Sequence, residues 1–526
     1  MAMKAAKCIV KALEKAKVSV VFGIPGRWVL PIYEALRSSK IRHVLMRDER
    51  GASYAAYGYA KARKWVGVCL STAGPGALNA LPGIVAAYRD HIPVTLISGQ
   101  VSEENVEASV EYVDALSIYR HVTKAALKIS LAETPSNTVL KALSSSLTPP
   151  TGPSYVEASL GLQLSEIKNC KTDFQLITIK NNTLCEEDVT QVVKLLNKAK
   201  RPLILAGHGV ILAKAHKSLQ SFSIKYGIPV VTSLLGRGAL SEYSNLNLGW
   251  IGLRGNEQAN LALSQCDVLI ILGCRLSDLT ITSRNILVGK RIVHVELDER
   301  NFYDKADLKI KADVKAFLEC LLKHMKGFTK KPLWFKKKRV EYAYKGVMSK
   351  ALKSVFKHVR KGFFTIDIGQ HAILALTLAK VSHKKSLIIP GGLAPMGFAI
   401  PAAIGACLVK KGVEVVALVG DGGFQMSCSE LATISQLNLP IKIVLFNNRG
   451  LGLIRQQQEA FYGVSYETSF KDVDYVKLAE SFGIESVKAE KPEDVGRLIE
   501  ENRGQPFLVE VDVDPRETVP LKRRLE

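Results

Sequence analysis

The sequence predicts an α/β protein of three doubly wound parallel-sheet domains, on three observations. Short β-branched runs alternate with helical patterns, the rhythm of strand and crossover helix in a parallel sheet covered on both faces. That rhythm lapses twice, near 162–184 and again near 323–345. The length, 526 residues, allows about three domains at roughly 100–200 residues each. The expected divisions are residues 1–165, 185–325 and 345–526.

In order along the chain, VSVVFGIPG (18–26) reads as a strand and turn, VLPIYEALRSS (29–39) as a helix and RHVLMRDE (42–49) as a strand. RGASYAAYGYAKAR (50–63) is helical, VGVCLSTAGPG (66–76) a strand entering a glycine-rich turn, and PVTLISGQV (93–101) a further strand. A second block follows with RPLILAGHGV (201–210), IPVVTS (228–233), DVLIILG (267–273) and RIVHVELD (291–298). The third has GFFTIDIG (362–369), VEVVALVGDG (413–422), IKIVLFNN (441–448) and PFLVEVDVD (506–514). No internal repeat is visible in the sequence. Between the second and third blocks, eight of the seventeen residues 323–339 are Lys or Arg and three are aromatic. Such a mixture can bind single-stranded nucleic acid, but it reads here as a solvated linker with its aromatics anchored on a neighbouring domain.

A 47% hydrophobic, 23% charged composition excludes a disordered, collagenous or coiled-coil chain. The formal charge of +23 suits an anionic ligand, a nucleic acid or an acidic partner without choosing among them. Nine cysteines with no C-x-x-C pair fit reduced thiols in a cytoplasmic protein. Residues 1–17 lack the apolar core of a signal peptide, and no run of 18 apolar residues occurs, so no membrane span is expected.

The most informative stretch is GDGGFQMSCSELATISQLNLPIKIVLFNN (420–448). An apolar strand ends at Gly420-Asp421-Gly422, a crossover helix follows, and a second strand ends at Asn447-Asn448. Ser427 and Glu430 have capping-box spacing for that helix. Right-handed crossovers place the carboxyl ends of parallel strands on one edge, so Asp421 and Asn448 can converge although 27 positions apart. With the carbonyl of Gly450 they make hard oxygen ligands for Mg²⁺, whose remaining ligands should be phosphate oxygens and water. The glycines allow backbone N–H groups close to those phosphates. Asp and Asn are also ordinary turn residues; the pairing of the two motifs is what is specific.

That pairing resembles the diphosphate-binding signature of thiamine diphosphate enzymes. Within that superfamily the chain is most similar to the catalytic subunit of acetolactate synthase, through VFGIPGRWVLPIYEAL, RDERGASYAAYGYA, STAGPGALNALPGI, LISGQV, IGQH, GGLAPMGFAIPAAIGA and LGLIRQQQEAFYG. The resemblance implies a pyrimidine-binding first domain, a central FAD-type or scaffold domain and a diphosphate-binding third domain. It makes Glu49 the activating glutamate, which hydrogen-bonds the aminopyrimidine ring; partial burial suits a carboxyl group that shares a proton with a ring nitrogen. It also places Asn79, Gln370, His371, Met396, Gly397, Gly420, Gly422, Gly423 and Leu451 around the cofactor, Met396 holding its bent shape. Read alone, Glu49 is a helix N-terminal charge, Met396 core filler, Asn79 a turn residue, and Gln370 and His371 strand caps.

For the central domain the resemblance assigns Arg120, Gly207, Gly209, Arg275, Asp278 and Glu296 to FAD, although a full G-x-G-x-x-G is absent. Relatives without flavin keep a similar domain as scaffold, so both readings stand. The substrate pocket implied by similarity contains Arg27, Gln100, Glu111, Leu453 and Gln457. Here the chain departs from the family: Arg27 follows Pro25-Gly26 where a glycine is usual, Val110-Glu111 replaces Phe-Gln, Leu279 replaces an arginine that receives a carboxylate, Gln457 replaces a tryptophan, and Arg254 a histidine. Loss of a bidentate arginine contact weakens carboxylate recognition, which Arg27 or Arg254 could restore from another direction.

The implied activity is decarboxylation of pyruvate and addition of the resulting hydroxyethyl enamine to a second 2-oxo acid, in branched-chain amino acid biosynthesis. Another thiamine-diphosphate-dependent decarboxylase, a 2-hydroxyacyl-CoA lyase or an acyltransferase is the alternative, and a non-enzymatic cofactor-binding protein with a basic binding surface a third. Because Glu49 and Asp421 lie in different domains, the family pattern further implies a homodimer or homotetramer, with a regulatory small subunit as a candidate partner and no nucleic acid or membrane.

Overall fold

The computed structural model describes residues 3–102, 106–168, 170, 185–325, 333–338, 344–382 and 385–520. Contacts divide the chain into two compact units, one made of Met1–Ile179, Lys345–Leu374 and Leu387–Val519, the other of Lys180–Tyr344, Ala375–Ser386 and Pro520–Glu526.

The first unit carries two six-stranded sheets. Across the N-terminal sheet the strands run Arg42–Leu45, Val20–Gly23, Gly67–Ser71, Val94–Gln100, Ser154–Ser159 and Ala125–Lys128, all neighbours parallel. The C-terminal sheet runs Lys385–Ile388, Gly362–Ile366, Val415–Gly420, Ile441–Asn447, Phe507–Asp512 and Glu485–Lys488. Numbered within each sheet, both have the order 2-1-3-4-6-5, an equivalence no sequence repeat announces. In both, the order reverses between the first and third strands, and ligands of open α/β sheets bind in the crevice past the strand ends at that point.

Buried runs such as Val-Val-Ala-Leu-Val (415–419) are apolar throughout, as strands covered on both faces must be. The helix Glu49–Arg63 begins at Asp48, whose side chain accepts a hydrogen bond from Arg50 N, and ends at Lys64 in the left-handed conformation. Its small residues let it meet the helix Ala399–Cys407 backbone to backbone: a Cβ on Gly58 would lie 2.1 Å from the Ala402 carbonyl oxygen, and one on Gly405 1.9 Å from that of Ala55. One hydrophobic core joins these two helices to both sheets.

The second unit holds a sheet ordered Asn247–Trp250, Val230–Thr232, Pro202–Ala206, Val268–Leu272, Arg291–Glu296 and Leu308–Lys311, all parallel. Its order, 3-2-1-4-5-6, is that of dinucleotide-binding folds. Of the basic linker, 333–338 is described: Trp334 Nε1 donates to the Pro202 carbonyl at 2.8 Å and Lys337 Nζ to those of Glu242 and Ser244, which anchors these two side chains here, while Lys336 and Lys338 are exposed. Phe328 lies outside the described residues.

Two expectations are corrected. Cys8 and Cys170 form a disulfide, with Cα atoms 5.9 Å apart across 162 positions, while the other seven cysteines are free. Antiparallel pairing of Met3–Lys4 with Glu166–Ile167 brings the two ends of the N-terminal region together, a proximity that local spacing could not reveal. The capping box at Ser427 and Glu430 does not form: Ser427 Oγ donates to the Gly423 carbonyl and the Glu430 carboxylate turns to another segment. Among the described residues, no helix is long and apolar enough to cross a membrane.

Candidate active site

At the reversal of the C-terminal sheet, three strand ends open into one pocket. The strand Gly362–Ile366 delivers Gln370 and His371, Val415–Gly420 delivers Asp421, and Ile441–Asn447 delivers Asn448 and Gly450; all line the pocket with Met396, Leu451 and Leu453. Gly420, Gly422 and Gly423 line it too, while Gly397 stands beside Met396 with φ +77°.

The side chains are held in place by the loops themselves. Asp421, 2% exposed, accepts hydrogen bonds from Gly422 N at 2.8 Å and Gly450 N at 2.9 Å, which fixes Gly450 against it. Burial pushes its carboxyl up to about 6 against the pull of these amides. The two asparagines divide their work. Asn447 Nδ2 donates to Glu510 and Asp472 and braces the strand end. Asn448 Nδ2 donates to Gln370 Oε1 at 3.0 Å, leaving its Oδ1 for another partner. Gln370 Nε2 in turn donates to Gln456 Oε1 and to the Glu517 carbonyl. Gly452 makes this approach possible, since a Cβ there would stand 2.1 Å from Asn448 Nδ2 and 2.3 Å from Gln370 Oε1.

His371, 3% exposed, lies stacked on Phe446 at 5.7 Å, and its Nε2 has no hydrogen-bond partner. Burial lowers its pKa to about 3, so the ring is neutral. A buried polar nitrogen without a partner is costly unless a ligand satisfies it, and here it belongs to a pocket-lining residue. Among the described residues no group of three His, Cys, Asp or Glu could hold a metal ion. A single carboxylate with an amide and a carbonyl is the donor set of a cation that also takes phosphate oxygens. The pocket therefore fits a magnesium diphosphate.

Sequence reading missed Asp367. Fully buried one residue past its strand, it accepts hydrogen bonds from Gly397 N and Ala399 N at 3.0 Å and from Ile368 N at 2.9 Å. It thereby ties the Met396 turn to the sheet. Burial raises its pKa to about 6. An aspartate at a strand end carries no signal until the incoming loop is known.

Glu49 is half-buried at the first turn of its helix. Its Oε2 accepts a hydrogen bond from Asn79 Nδ2 at 3.2 Å, and Gly76 leaves room beside Oε1. Glu49 is not among the residues lining the diphosphate pocket of its own chain.

Of the residues assigned to substrate, Arg27 and Glu111 meet at Trp28: the Arg27 guanidinium lies 4.9 Å from the ring centre, and Trp28 Nε1 donates to Glu111 Oε2 at 2.7 Å. Gln100 is engaged within the fold, donating to the Val113 carbonyl and to Glu157 and accepting from Val101 N. Gln457 is partly exposed on the helix Gly452–Tyr462, one turn beyond Leu453.

In the second unit, Gly207 and Gly209 follow the first strand and abut Gly273 at the end of the fourth, the point where strand order reverses. A Cβ on Gly207 would be 2.1 Å from the Gly273 oxygen, and Gly209 N donates to that same carbonyl. Arg275 and Glu296 are partly buried and Asp278 exposed; burial raises the Glu296 carboxyl. Arg254 has a buried Nη1 without a hydrogen-bond partner, and Leu279 is exposed. Arg120 is exposed at the end of the helix Ala115–Arg120 in the first unit.

Three family models match in succession: the N-terminal TPP binding domain of thiamine pyrophosphate enzymes over residues 3–127, their central domain over 189–321 and their C-terminal TPP binding domain over 367–511. A protein of Methanocaldococcus jannaschii named "probable acetolactate synthase large subunit" is 33% identical, covering 99% of this chain and 93% of its own length. The acetolactate synthase large subunit of Lactococcus lactis is 32% identical over 97% of this chain and 92% of its own, and the isozyme 2 large subunit of Escherichia coli 31% over 98% and 97%. The chain belongs to the thiamine pyrophosphate enzyme family, and within it to the acetolactate synthase type.

Proposed function

We propose that this chain is the catalytic subunit of an acetolactate synthase that removes CO₂ from pyruvate and joins the remaining two-carbon unit to a second 2-oxo acid, for branched-chain amino acid biosynthesis. The observation that carries this reading is the meeting of Asp421, Asn448 and Gly450 with Gln370 and His371 in one pocket. The chain's relatives, matched nearly end to end, are named acetolactate synthase large subunits.

Asp421, Asn448 Oδ1 and the Gly450 carbonyl would hold Mg²⁺, and Gln370 and His371 the diphosphate. Met396, Leu451 and the glycines at 397, 420, 422 and 423 would shape the wall. The bound cofactor supplies the electron sink on which a 2-oxo acid loses its carboxyl group. Glu49 holds the proton it shares with the aminopyrimidine nitrogen, and Asn79 orients Glu49 through the 3.2 Å hydrogen bond. Since Glu49 does not line its own chain's diphosphate pocket, we assign the active site to a homodimer, alone or as half of a tetramer, in which a second copy supplies Glu49. The names of the relatives favour a small regulatory subunit as partner. The division into 1–165, 185–325 and 345–526 is retained as the functional one, and the cytoplasm is the proposed compartment, with seven cysteines free and one pair joined. The central sheet's order and its paired glycine turns favour FAD, with Arg275, Asp278 and Glu296 as further contacts.

A second reading, a lyase or transferase with another acceptor, is favoured by one observation: the departures at Arg27 and Glu111 converge on Trp28 and offer a cation where the family has none. Incubation with thiamine diphosphate, Mg²⁺ and pyruvate, with and without 2-oxobutyrate, separates the two by product mass. Acetolactate and acetohydroxybutyrate support the synthase; acetaldehyde alone refutes it. Glu49→Gln should lower turnover by roughly 10²–10⁴-fold, and a yellow purified protein would report flavin.

A further inference from the structure

The turn Leu45–Asp48, from which Glu49 projects, is gripped by residues that follow the metal motif in sequence. Glu430 Oε1 accepts a hydrogen bond from Arg47 N at 3.1 Å. The Thr433 hydroxyl stands 3.0 Å from the Leu45 carbonyl and 3.1 Å from Glu430 Oε2. Arg47 Nη2 donates to Gln436 Oε1 at 2.6 Å and Arg50 Nη2 to the Met426 carbonyl at 2.7 Å. Gly51 completes the fit, because a Cβ there would lie 2.2 Å from Glu430 Oε1. Glu430 is 1% exposed. Burying a carboxyl group is expensive, and the capping role its spacing suggests is unfilled; what it does instead is satisfy a backbone donor two residues before Glu49.

We propose that Glu430 is a positioning residue for Glu49: through Arg47 N, and braced by Thr433, it sets the register of the Glu49 turn against the segment that begins with the metal ligand Asp421. This rests on the reading of Glu49 as the group that activates the cofactor. The chain thus connects two functional sequences through three polar clasps, at 47, 50 and 45, so that displacement of the helix after Asp421 is transmitted to Glu49.

The test compares wild type with Glu430→Ala and Glu430→Gln. In the cofactor-free protein, hydrogen exchange of the Arg47 amide should quicken at least about tenfold in Glu430→Ala and stay near wild type in Glu430→Gln, whose amide oxygen can still accept. In the holoenzyme with Mg²⁺ and thiamine diphosphate, exchange of the thiazolium C2 proton should fall at least about tenfold in Glu430→Ala, because small misplacements of a catalytic group cost that much. Cofactor affinity should stay within about threefold, and Glu430→Gln should restore C2 exchange. Thr433→Val should shift both exchange rates in the same directions by about threefold, and judges the proposal should Glu430→Ala fail to fold. Unchanged Arg47 and C2 exchange in Glu430→Ala, or a Glu430→Gln variant as impaired as Glu430→Ala, overturns the positioning role alone. C2 exchange that Glu49→Gln leaves undiminished overturns the reading of Glu49, and the proposal with it.

Discussion

Gly405 should be irreplaceable even by alanine, although no assigned cofactor or metal residue touches it. Its added Cβ would lie 1.9 Å from the Ala55 carbonyl oxygen and 2.7 Å from Tyr59 N. Carbon and carbonyl oxygen tolerate an approach of about 3.3 Å, so the helices Glu49–Arg63 and Ala399–Cys407 must separate by about 1.4 Å at that point. The obstacle is backbone and cannot rotate away. Overpacking of this kind costs about 1–3 kcal/mol; the intrinsic preference of a helix for alanine over glycine returns about 1 kcal/mol. The upper end of the range applies here because two backbones must part, and the net cost is about 2 kcal/mol. Since Glu49 opens the displaced helix, turnover should fall by about 10²-fold, the penalty for misplacing a reacting group by roughly an ångström. Calorimetry and steady-state kinetics on Gly405→Ala measure both. The control is Gly161→Ala, where nothing lies within 4 Å of the added Cβ. A Gly405→Ala protein that unfolds at the wild-type temperature with wild-type turnover would refute the argument that these helices touch through glycine.

Three further outcomes are expected. Replacing Cys8 with serine, or reducing Cys8–Cys170, opens a loop spanning 162 positions and should lower stability by up to about 5 kcal/mol in the chain-entropy account, read as a lower denaturant midpoint for the first unit. Asp367→Asn replaces one carboxylate oxygen by an NH₂ group, so either Ile368 N and Gly397 N, which share Oδ1, or Ala399 N, on Oδ2, loses its acceptor. It should weaken cofactor binding about 10–100-fold as the Met396 turn loosens, at about 1.5–3 kcal/mol for each lost charged hydrogen bond, measured by titration calorimetry. Burial holds Glu430 up to about 7 against an ordinary 4.5, so the native state keeps a proton that the unfolded chain releases between those values. The stability Glu430 contributes is therefore complete below about 4.5 and lost as pH rises through 7; Glu430→Gln should remove this dependence and gain up to about 3 kcal/mol on wild type above pH 7, followed by denaturant unfolding across pH 4.5–8.5.

What the sequence could disclose was whatever its neighbours encode. Apolar runs locate four strands of each six-stranded sheet and miss two in each, Ala125–Lys128 and Ser154–Ser159, Asn247–Trp250 and Leu308–Lys311, Lys385–Ile388 and Glu485–Lys488; the right-handed crossover rule brings Asp421 to Asn448 from the sequence alone. Gln370 and His371 reach the same pocket because their strand is adjacent in the sheet to that of Asp421. What stayed hidden are single residues whose partners are remote: Asp367 with the Gly397 turn, Glu430 with Arg47 across 383 positions, and Cys8 with Cys170. None of these has a local pattern, and Glu430 had a misleading one, since a serine three residues before a glutamate imitates a capping box. The common 2-1-3-4-6-5 order was equally silent, because strand order is decided by which helices cover which face and not by residue identity within a strand.

That shared order explains why the chemistry divides as it does. In the N-terminal sheet Glu49 follows the second strand and Asn79 the third; in the C-terminal sheet Gln370 and His371 follow the first, Asp421 the third and Asn448 the fourth. Each group sits past a carboxyl strand end near a reversal of order, where an open α/β sheet leaves a crevice. The C-terminal crevice holds oxygen donors and His371 Nε2 without a hydrogen-bond partner, which on the proposed reading would take an anion and its cation; the N-terminal one holds one half-buried carboxylate braced by an amide, which would take a ring nitrogen. On the proposed reading, a ligand with a charged tail and a heteroaromatic head would match two such crevices, one from each copy of the dimer. Helix contact through Gly58 and Gly405 and the Glu430 clasp bind both sheets into one unit.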